Sequence, residues 1–386
     1  MKICIVTPAV IKGDGQGRAN YEIVWEAIRR GYHLTLLARN VDPELEQNSQ
    51  VNWVSIPVKG WSTALLQEMV FSWQSAQWLQ QHRLDFDLIQ VYGAVTSASG
   101  DINTVQFVHS AWLRSRVHIS RIRRDYYGAY QWLYTALNSH WEKQAFRKAK
   151  VVVAVSERVK QELMDIGVPE HKLHVIYNGV DVREFSPGSA DRRQIGLPEN
   201  ATIALFAGDI RTNRKNLDTV LHALVYEPEL HLAVVGSIEG SPYPNLVAQL
   251  GLTDRVHFMG YRRDLPEIMR ALDLFVFPSR YEPFGMVVSE AMAAGLPVIT
   301  SGTTGAAEIV TPESGVVLSD SEDIQGLAEA LTKLGSDREL RRQMGIVGRA
   351  IAEQHSWVSK ANSYMNLFEE IVKDENQCSY PNLSAS

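Results

Sequence analysis

The chain has little cysteine: two residues in 386, Cys4 inside an apolar run and Cys378 in a polar tail. That excludes a disulfide framework and favours a reducing compartment. No apolar stretch approaches the roughly 18–20 residues that a spanning helix needs. Positive charge is not in excess either. Lys+Arg number 38 against 44 Asp+Glu, a net of −6, so global electrostatics gives nucleic-acid binding no help. There is no internal repeat and no low-complexity segment. The opening Met-Lys-Ile-Cys-Ile-Val enters a strand pattern at once, so no signal peptide is expected. His-rich or Cys-based metal-ligand spacing is missing, and no metal is expected.

What is present is a globular composition, 45% hydrophobic and 21% charged. The length exceeds one ordinary core of about 100–200 residues, so two domains are expected. Charge is unevenly divided. Residues 1–185 hold 21 Lys+Arg and 18 Asp+Glu, a net of +3, and residues 186–386 carry −9. Such an asymmetry fits two domains with different partners.

Short apolar runs alternate with helical spacing. Strands are predicted at 3–7, 33–38, 88–92, 103–108, 151–155 and 173–176, with a helix over 21–30 that ends at Gly31. After the turn-rich Phe185-Ser-Pro-Gly-Ser-Ala-Asp the rhythm restarts, with strands at 203–207, 232–235, 256–259, 274–277 and 297–300. Strand, helix, strand, repeated, implies parallel sheets with right-handed crossovers. The expected fold class is α/β, with two Rossmann-like domains. Residues 1–185 form the first and 186–357 the second, and ligands are expected at the carboxyl ends of the strands.

The informative stretch runs from Pro278 to Thr300. Glu282 and Glu290 are separated by seven residues, and Pro283-Phe284-Gly285 makes the turn into a helix. The amides from Gly285 through Met286 and Val287 are helix-start donors, suited to an anion. The two carboxylates are acceptors for sugar hydroxyls. This stretch, with Ala-Met-Ala-Ala-Gly-Leu-Pro-Val-Ile after Glu290, resembles the E-x7-E motif of GT-B retaining glycosyltransferases of family 4.

The resemblance covers most of the chain. Residues 206–217 resemble the family's phosphate-binding loop, with Lys215 as the matching lysine. The family usually has an arginine directly after the loop glycine, where this chain has Asp209. Arg211 or Arg214 is expected to supply that charge. Gly260-Tyr261-Arg262 resembles the base-recognition loop. The resemblance assigns Glu290 to the ribose hydroxyls, and Glu282 with the Phe284 and Gly285 amides to the transferred sugar. Gly15 and Gly17 match the glycine-rich loop of the first domain, with Asp14 in place of its first glycine. His109, read as a strand end, resembles the active-site histidine. A C-terminal helix, about 358–386, is expected to pack back on the first domain. The resemblance implies glycosyl transfer with retention, with His109, Lys215 and Glu282 as catalytic residues. The expected donor is a UDP-sugar, UDP-glucose by family frequency, with no other cofactor. The expected acceptor is a saccharide or lipid-linked molecule, in extracellular or cell-envelope polysaccharide synthesis.

Arg114, Arg116, Arg121, Arg123 and Arg124 fall within eleven residues with no acid among them, and an aromatic run follows. That pattern suits an anionic membrane surface or a lipid-linked pyrophosphate acceptor, and equally a solvated helix face. The expected location is cytoplasmic, with peripheral contact at the inner membrane face as an option. Asp85-Phe-Asp87 sits directly before a strand and reads as a strand entry, not a metal motif. Three rival readings remain at this level. A GT-B UDP-GlcNAc 2-epimerase would share the fold. A catalytically silent protein would bind the nucleotide without turnover. An NADP oxidoreductase is disfavoured, because strand two ends in Ala38-Arg39 without an acidic residue for ribose.

Overall fold

Continuous apolar runs such as Ile-Cys-Ile-Val cannot leave one face to water, so they pair as parallel strands covered on both sides. The computed structural model describes residues 1–13 and 15–379, with side chains as far as 374. Contacts divide the chain into two units. The first comprises residues 1–114, 119–178 and the C-terminal helix from Trp357, and the second comprises 179–356 with 115–118. The division falls after Asn178 rather than at 185. Residues 180–185 are tied into the second unit: Val180 N donates to the His355 carbonyl (3.1 Å), and Arg349 donates to the carbonyls of Val182 (2.9 Å) and Phe185 (2.8 Å).

In the first unit, seven parallel strands run in the order β3-β2-β1-β4-β5-β6-β7. They are β1 (Lys2–Val6), β2 (His33–Ala38), β3 (Val51–Ser55), β4 (Leu88–Tyr92), β5 (Ile102–Val105), β6 (Val151–Ala154) and β7 (Leu173–Val175). Ile3 lies between Leu34 and Leu88 in register. Helices α1 (Gly15–Arg29), α2 (Ala64–His82), α3 (His109–Arg114) and α4 (Tyr126–Lys148) follow strands of this sheet. The strand predicted over 103–108 stops at Val105, and His109 begins a helix rather than ending a strand. The Glu142 carboxylate accepts the backbone N–H groups of His109 (2.8 Å) and Ser110 (2.7 Å), so a distant side chain caps this helix. Asp87 accepts the Lys2 amide (2.7 Å), a bond across the sheet entry.

The second unit has six parallel strands in the order β10-β9-β8-β11-β12-β13. They are β8 (Thr202–Ala207), β9 (Leu230–Val235), β10 (Val256–Gly260), β11 (Leu274–Phe277), β12 (Val298–Ser301) and β13 (Gly315–Leu318). The helices that matter to the site are α5 (Leu217–Leu224), α6 (Met286–Ala293) and α7 (Arg338–Gln354).

Helix α8 (Trp357–Ser379) belongs to the first unit. Tyr364, Met365, Phe368 and Ile371 are buried in one cluster with Ile3, Val24 and Leu34. Each such side chain contributes about 1.5–3 kcal/mol on burial. Arg30 reaches Glu369 (2.7 Å) and Asn362 (2.9 Å), and the Tyr32 hydroxyl donates to Glu369 (2.6 Å).

Candidate functional site

Strands β8 and β11 are neighbours in the sheet, and the chain leaves them in opposite directions, β8 toward β9 and β11 toward β12. The loops after their carboxyl ends therefore part, which is where open α/β sheets bind ligands. The first loop carries Lys215 and the second Glu282. These two, 67 residues apart, form an ion pair, and each side chain is only 13% exposed. The Lys215 ammonium also lies 5.2 Å from the centre of the Phe277 ring. Burial pulls the Lys215 pKa down, and the Glu282 carboxylate opposes that shift. The Lys215 charge is thus met by Glu282 and largely shielded from water.

The second loop is shaped for close approach. Gly285, before the first residue of α6, has φ +92°, a left-handed conformation that L side chains avoid. A Cβ built there would meet Thr304 Cγ2 at 2.8 Å and Glu282 Cγ at 3.1 Å. The Glu282 carbonyl accepts Gly305 N–H (2.9 Å), and the Phe284 carbonyl accepts Ala306 N–H (2.6 Å), so the turn is pinned to the loop after β12. Tyr281, Pro283 and Phe284 are buried, while Met286 and Val287 are partly exposed at the helix start. Glu290, one turn into α6, has no hydrogen-bond or ion-pair partner for its carboxylate among the described residues, and burial, with the Glu184 charge adding to it, pushes its pKa up to about 7. Ser289 Oγ and Thr304 Oγ1 are buried without hydrogen-bond partners among the described residues.

Three residues that carried no sequence assignment hold the first loop. Asn216 adopts φ +68° before α5, and its amide donates to the carbonyls of Pro278 (2.8 Å) and Ser321 (2.6 Å). Arg280 grips Asp218 (2.6 and 2.8 Å) and the Asn213 carbonyl (2.7 Å). Ser279 Oγ donates to the Arg214 carbonyl (3.0 Å). The only sequence signal was Asn directly after the lysine, a residue type that tolerates left-handed backbone. Gly208 lies against Lys215: its Cβ would sit 3.4 Å from Lys215 Cγ.

The arginines expected to replace the missing loop cation differ. Arg211 turns to Asp209 (2.8 Å), whose pKa it lowers, and the Arg211 side chain is 58% exposed. Its charge is thereby matched locally by the residue it was expected to compensate. Arg214 lies close enough to Lys215 to disfavour its protonation. Gly260 (φ +70°) ends β10, and its carbonyl accepts the Gly236 amide (3.0 Å). Tyr261 is 73% exposed, and Arg262 pairs with Asp264 (2.7 Å).

Within the first unit, Gly15 opens α1 and Gly17 is buried in it, while Asp14 lies outside the described residues. His109 lines a cavity of about 450 Å³ together with Arg39, Glu68, Trp73, Tyr134 and Trp141. Its imidazole sits edge-on to Phe107 (5.1 Å) and Tyr134 (5.9 Å). Burial lowers its pKa to about 4, so the ring is neutral at pH 7, and its Nδ1 is buried without a partner among the described residues. Glu142 beside it is pushed up to about 7 by burial, against the opposing hydrogen bonds from Ser110 and His109. Arg114, Arg116, Arg121, Arg123 and Arg124 are all exposed. Arg123 pairs with Asp125, and Arg116 falls in the short stretch that clusters with the second unit.

Comparison with known proteins bears on the family and the fold. The model of glycosyl transferases group 1 matches residues 189–350, and that of glycosyltransferase family 4 matches 13–184. A D-inositol 3-phosphate glycosyltransferase of Xylanimonas cellulosilytica is 30% identical over 249 residues, 60% of this chain and 60% of the relative. The chain thus spans about three fifths of the length of curated relatives that it matches. Among solved structures, sucrose-phosphate synthase from Thermosynechococcus elongatus superposes with a TM-score of 0.79 at 21% identity, covering 97% of this chain and 99% of the other. Anabaena HepE in complex with UDP-glucose gives 0.67 at 21% identity, covering 96% and 100%. Both share the fold of two Rossmann-like halves, and with the two family models together covering nearly the whole sequence, the chain belongs to the GT-B glycosyltransferases of the group 1 and family 4 type.

Proposed function

We propose that the protein is a retaining glycosyltransferase that moves glucose from UDP-glucose to a saccharide or lipid-linked acceptor. The observation that carries this reading is the Lys215–Glu282 pair, seated between the β8 and β11 loops. A diphosphate in that place draws on the Lys215 charge and on the amides at the start of α6. Glu282, once its lysine turns to phosphate, accepts hydroxyls of the transferred sugar. In this reading Glu290 accepts from the ribose hydroxyls. A buried polar group left unpaired costs about 1–3 kcal/mol, so both carboxylates favour a hydroxylated donor.

In the proposed step the bond between the sugar C1 and the β-phosphate oxygen breaks, and the acceptor oxygen bonds to C1 on the same face. The acceptor proton passes to the departing phosphate. Lys215 stabilises the charge that develops on that phosphate, a contribution of the kind worth about 2.7–4 kcal/mol for a single group. No other cofactor and no metal enters the proposal.

HepE, of the same fold, was solved with UDP-glucose, which supports the choice of donor. The exposed arginines and aromatics from Arg114 onward support peripheral contact with an anionic membrane, and a role in polysaccharide or envelope glycolipid synthesis would follow. Incubation with UDP-glucose and candidate acceptors, followed by NMR of the product's anomeric proton, tests the reading. A product of inverted configuration, or free sugar released without any acceptor, would replace it.

A further inference from the structure

His109 is held at two points, and both holds come from α4. Its imidazole meets the Tyr134 ring edge-on at 5.9 Å. Its backbone meets Glu142, about two turns further along the same helix. The Glu142 carboxylate is divided between two amides. Oε2 accepts His109 N–H (2.8 Å), and Oε1 accepts Ser110 N–H (2.7 Å). Each oxygen has its own donor, so the two bonds together fix where α3 begins. A third bond ties the same helices, since Ser110 Oγ lies 2.7 Å from Ser139 Oγ. Tyr134 is held in turn, its hydroxyl donating to Glu68 of α2 (2.5 Å).

This arrangement puts a carboxylate where water is scarce. Glu142 is 1% exposed. A carboxylate in such a place keeps its charge only through the donors that meet it. Burial pushes its pKa up to about 7, against the bonds from Ser110 and His109 and the charge of Lys143 beside it on α4.

The other titratable groups around it differ. Arg39 after β2, Glu68 of α2, and Tyr134 and Lys148 of α4 line the same cavity as Glu142. Glu68 is committed to the Tyr134 hydroxyl and the Asn138 amide (3.3 Å). The His109 ring stays neutral down to about pH 4. A histidine in a site is normally the group that titrates near neutrality. Here that group is the carboxyl behind the histidine's backbone.

Protonation changes what Glu142 can hold. A carboxylate offers acceptor sites on both oxygens, whereas a carboxylic acid has one carbonyl oxygen and one hydroxyl that is itself a donor. It cannot serve two amides equally. One of the two bonds weakens, and the start of α3 shifts with His109 on it.

We propose that Glu142 is a positioning residue: as a carboxylate it fixes the His109 and Ser110 amides and so sets the histidine for transfer, and on protonation it releases that hold. The proposal rests on the transferase reading for the word transfer. The grip on the two amides does not depend on it.

The first test needs no substrate. In the full chain carrying 15N-labelled histidine, the amide signal of His109 is the one that His109→Asn removes. That signal moves with pH, with its midpoint near 7, while the imidazole nitrogens of His109 stay still over the same range. In Glu142→Gln the amide signal no longer moves. The second test follows transfer from saturating UDP-glucose. kcat rises about tenfold from pH 6 to pH 8, as the carboxylate fraction does for a midpoint near 7. Glu142→Gln loses that rise and stays near the parent's value at pH 6, because a carboxamide offers one acceptor and turns its NH2 toward an amide. The KM for UDP-glucose changes by less than about twofold, since the donor's residues in the second unit are untouched. His109→Asn keeps the midpoint in the transfer that remains.

A His109 amide that does not move between pH 6 and pH 8, a transfer profile that Glu142→Gln leaves unchanged, or a midpoint that disappears in His109→Asn overturns the inference. The parent's amide titration and the His109→Asn profile decide even where Glu142→Gln does not fold. A parent that forms no product at any pH defeats the transferase reading instead, and the amide titration then decides for or against the grip of Glu142 by itself.

Discussion

Replacing Lys215 by methionine separates what the lysine does for stability from what it does for transfer. The substitution keeps the length of the side chain and its packing on Phe277, and removes the charge that faces Glu282. Removing one partner of a buried ion pair costs about 3–5 kcal/mol, because the other charge stays behind in a poor solvent. At 13% exposure for each side chain, water screens part of that, and a loss of about 2–4 kcal/mol is expected. Glu282→Gln in the Lys215→Met background removes the stranded carboxylate and restores at least half of the loss. The coupling between the two sites should then be about 1–3 kcal/mol. Transfer behaves differently. Lys215→Met and the double variant both lose a factor of about 10²–10³ in kcat, since the charge on the departing phosphate is no longer met. Urea unfolding midpoints and UDP release from UDP-glucose measure the two quantities on the same samples. A double variant no more stable than Lys215→Met, or a Lys215→Met enzyme with kcat within tenfold of the parent, would refute the reasoning.

Gly285→Ala forces a Cβ into a left-handed backbone and against Thr304 Cγ2, and about 1–3 kcal/mol of stability should be lost with the donor affinity; unchanged UDP-glucose binding would count against the turn as a binding element. Lys360 is buried, donates to Asn178 Oδ1 (2.5 Å), and burial lowers its pKa to about 7. The unfolded chain therefore binds more protons between about pH 7 and 10.5, and stability rises with pH across that window. Lys360→Met should flatten that slope in urea titrations at several pH values; an unaltered slope would assign it elsewhere. Glu290 has the opposite sign: with its pKa raised to about 7, the folded chain binds the extra proton, and stability falls from about pH 4.5 to 7. Glu290→Gln should remove its part of that fall and weaken UDP-glucose more than 2′-deoxy-UDP-glucose; equal weakening of both would deny it the ribose.

Much of the second unit's site is legible because it is contiguous. Glu282, Gly285 and Glu290 fall within nine residues, and a strand, a turn and a helix start must follow in that order for the apolar pattern to hold. Lys215 could be matched only by resemblance, since a lysine in a polar loop has no periodic signature. Asn216 and Arg280 were not found: their work is to hold two loops together, and the tolerance of asparagine for left-handed backbone is the one local sign of it. In the first unit the strand read through 103–108 failed at a definite point. Val105 ends the ladder, and Glu142, 33 residues beyond His109, turns the following segment into a helix by taking its first amides. The long helices 64–82 and 126–148 escaped the pattern because their apolar residues do not keep to the buried side.

The amino-acid sequence alone determined the alternation of buried strands and helices, the doubling of that rhythm, and the carboxylate-bearing turn, because each is written in neighbours whose side chains share one backbone periodicity. Tertiary structure decided which loops meet. Lys215 reaches Glu282 only because β8 and β11 are adjacent while their crossovers part, and α8 belongs to the first unit only because its apolar side fits beside α1. It also decided the value of the charges. The same arginine pattern yields a cation neutralised by its neighbour at Arg211 and unpaired cations at Arg121 and Arg124, because pairing depends on what a fold brings within a few ångströms and not on spacing along the chain.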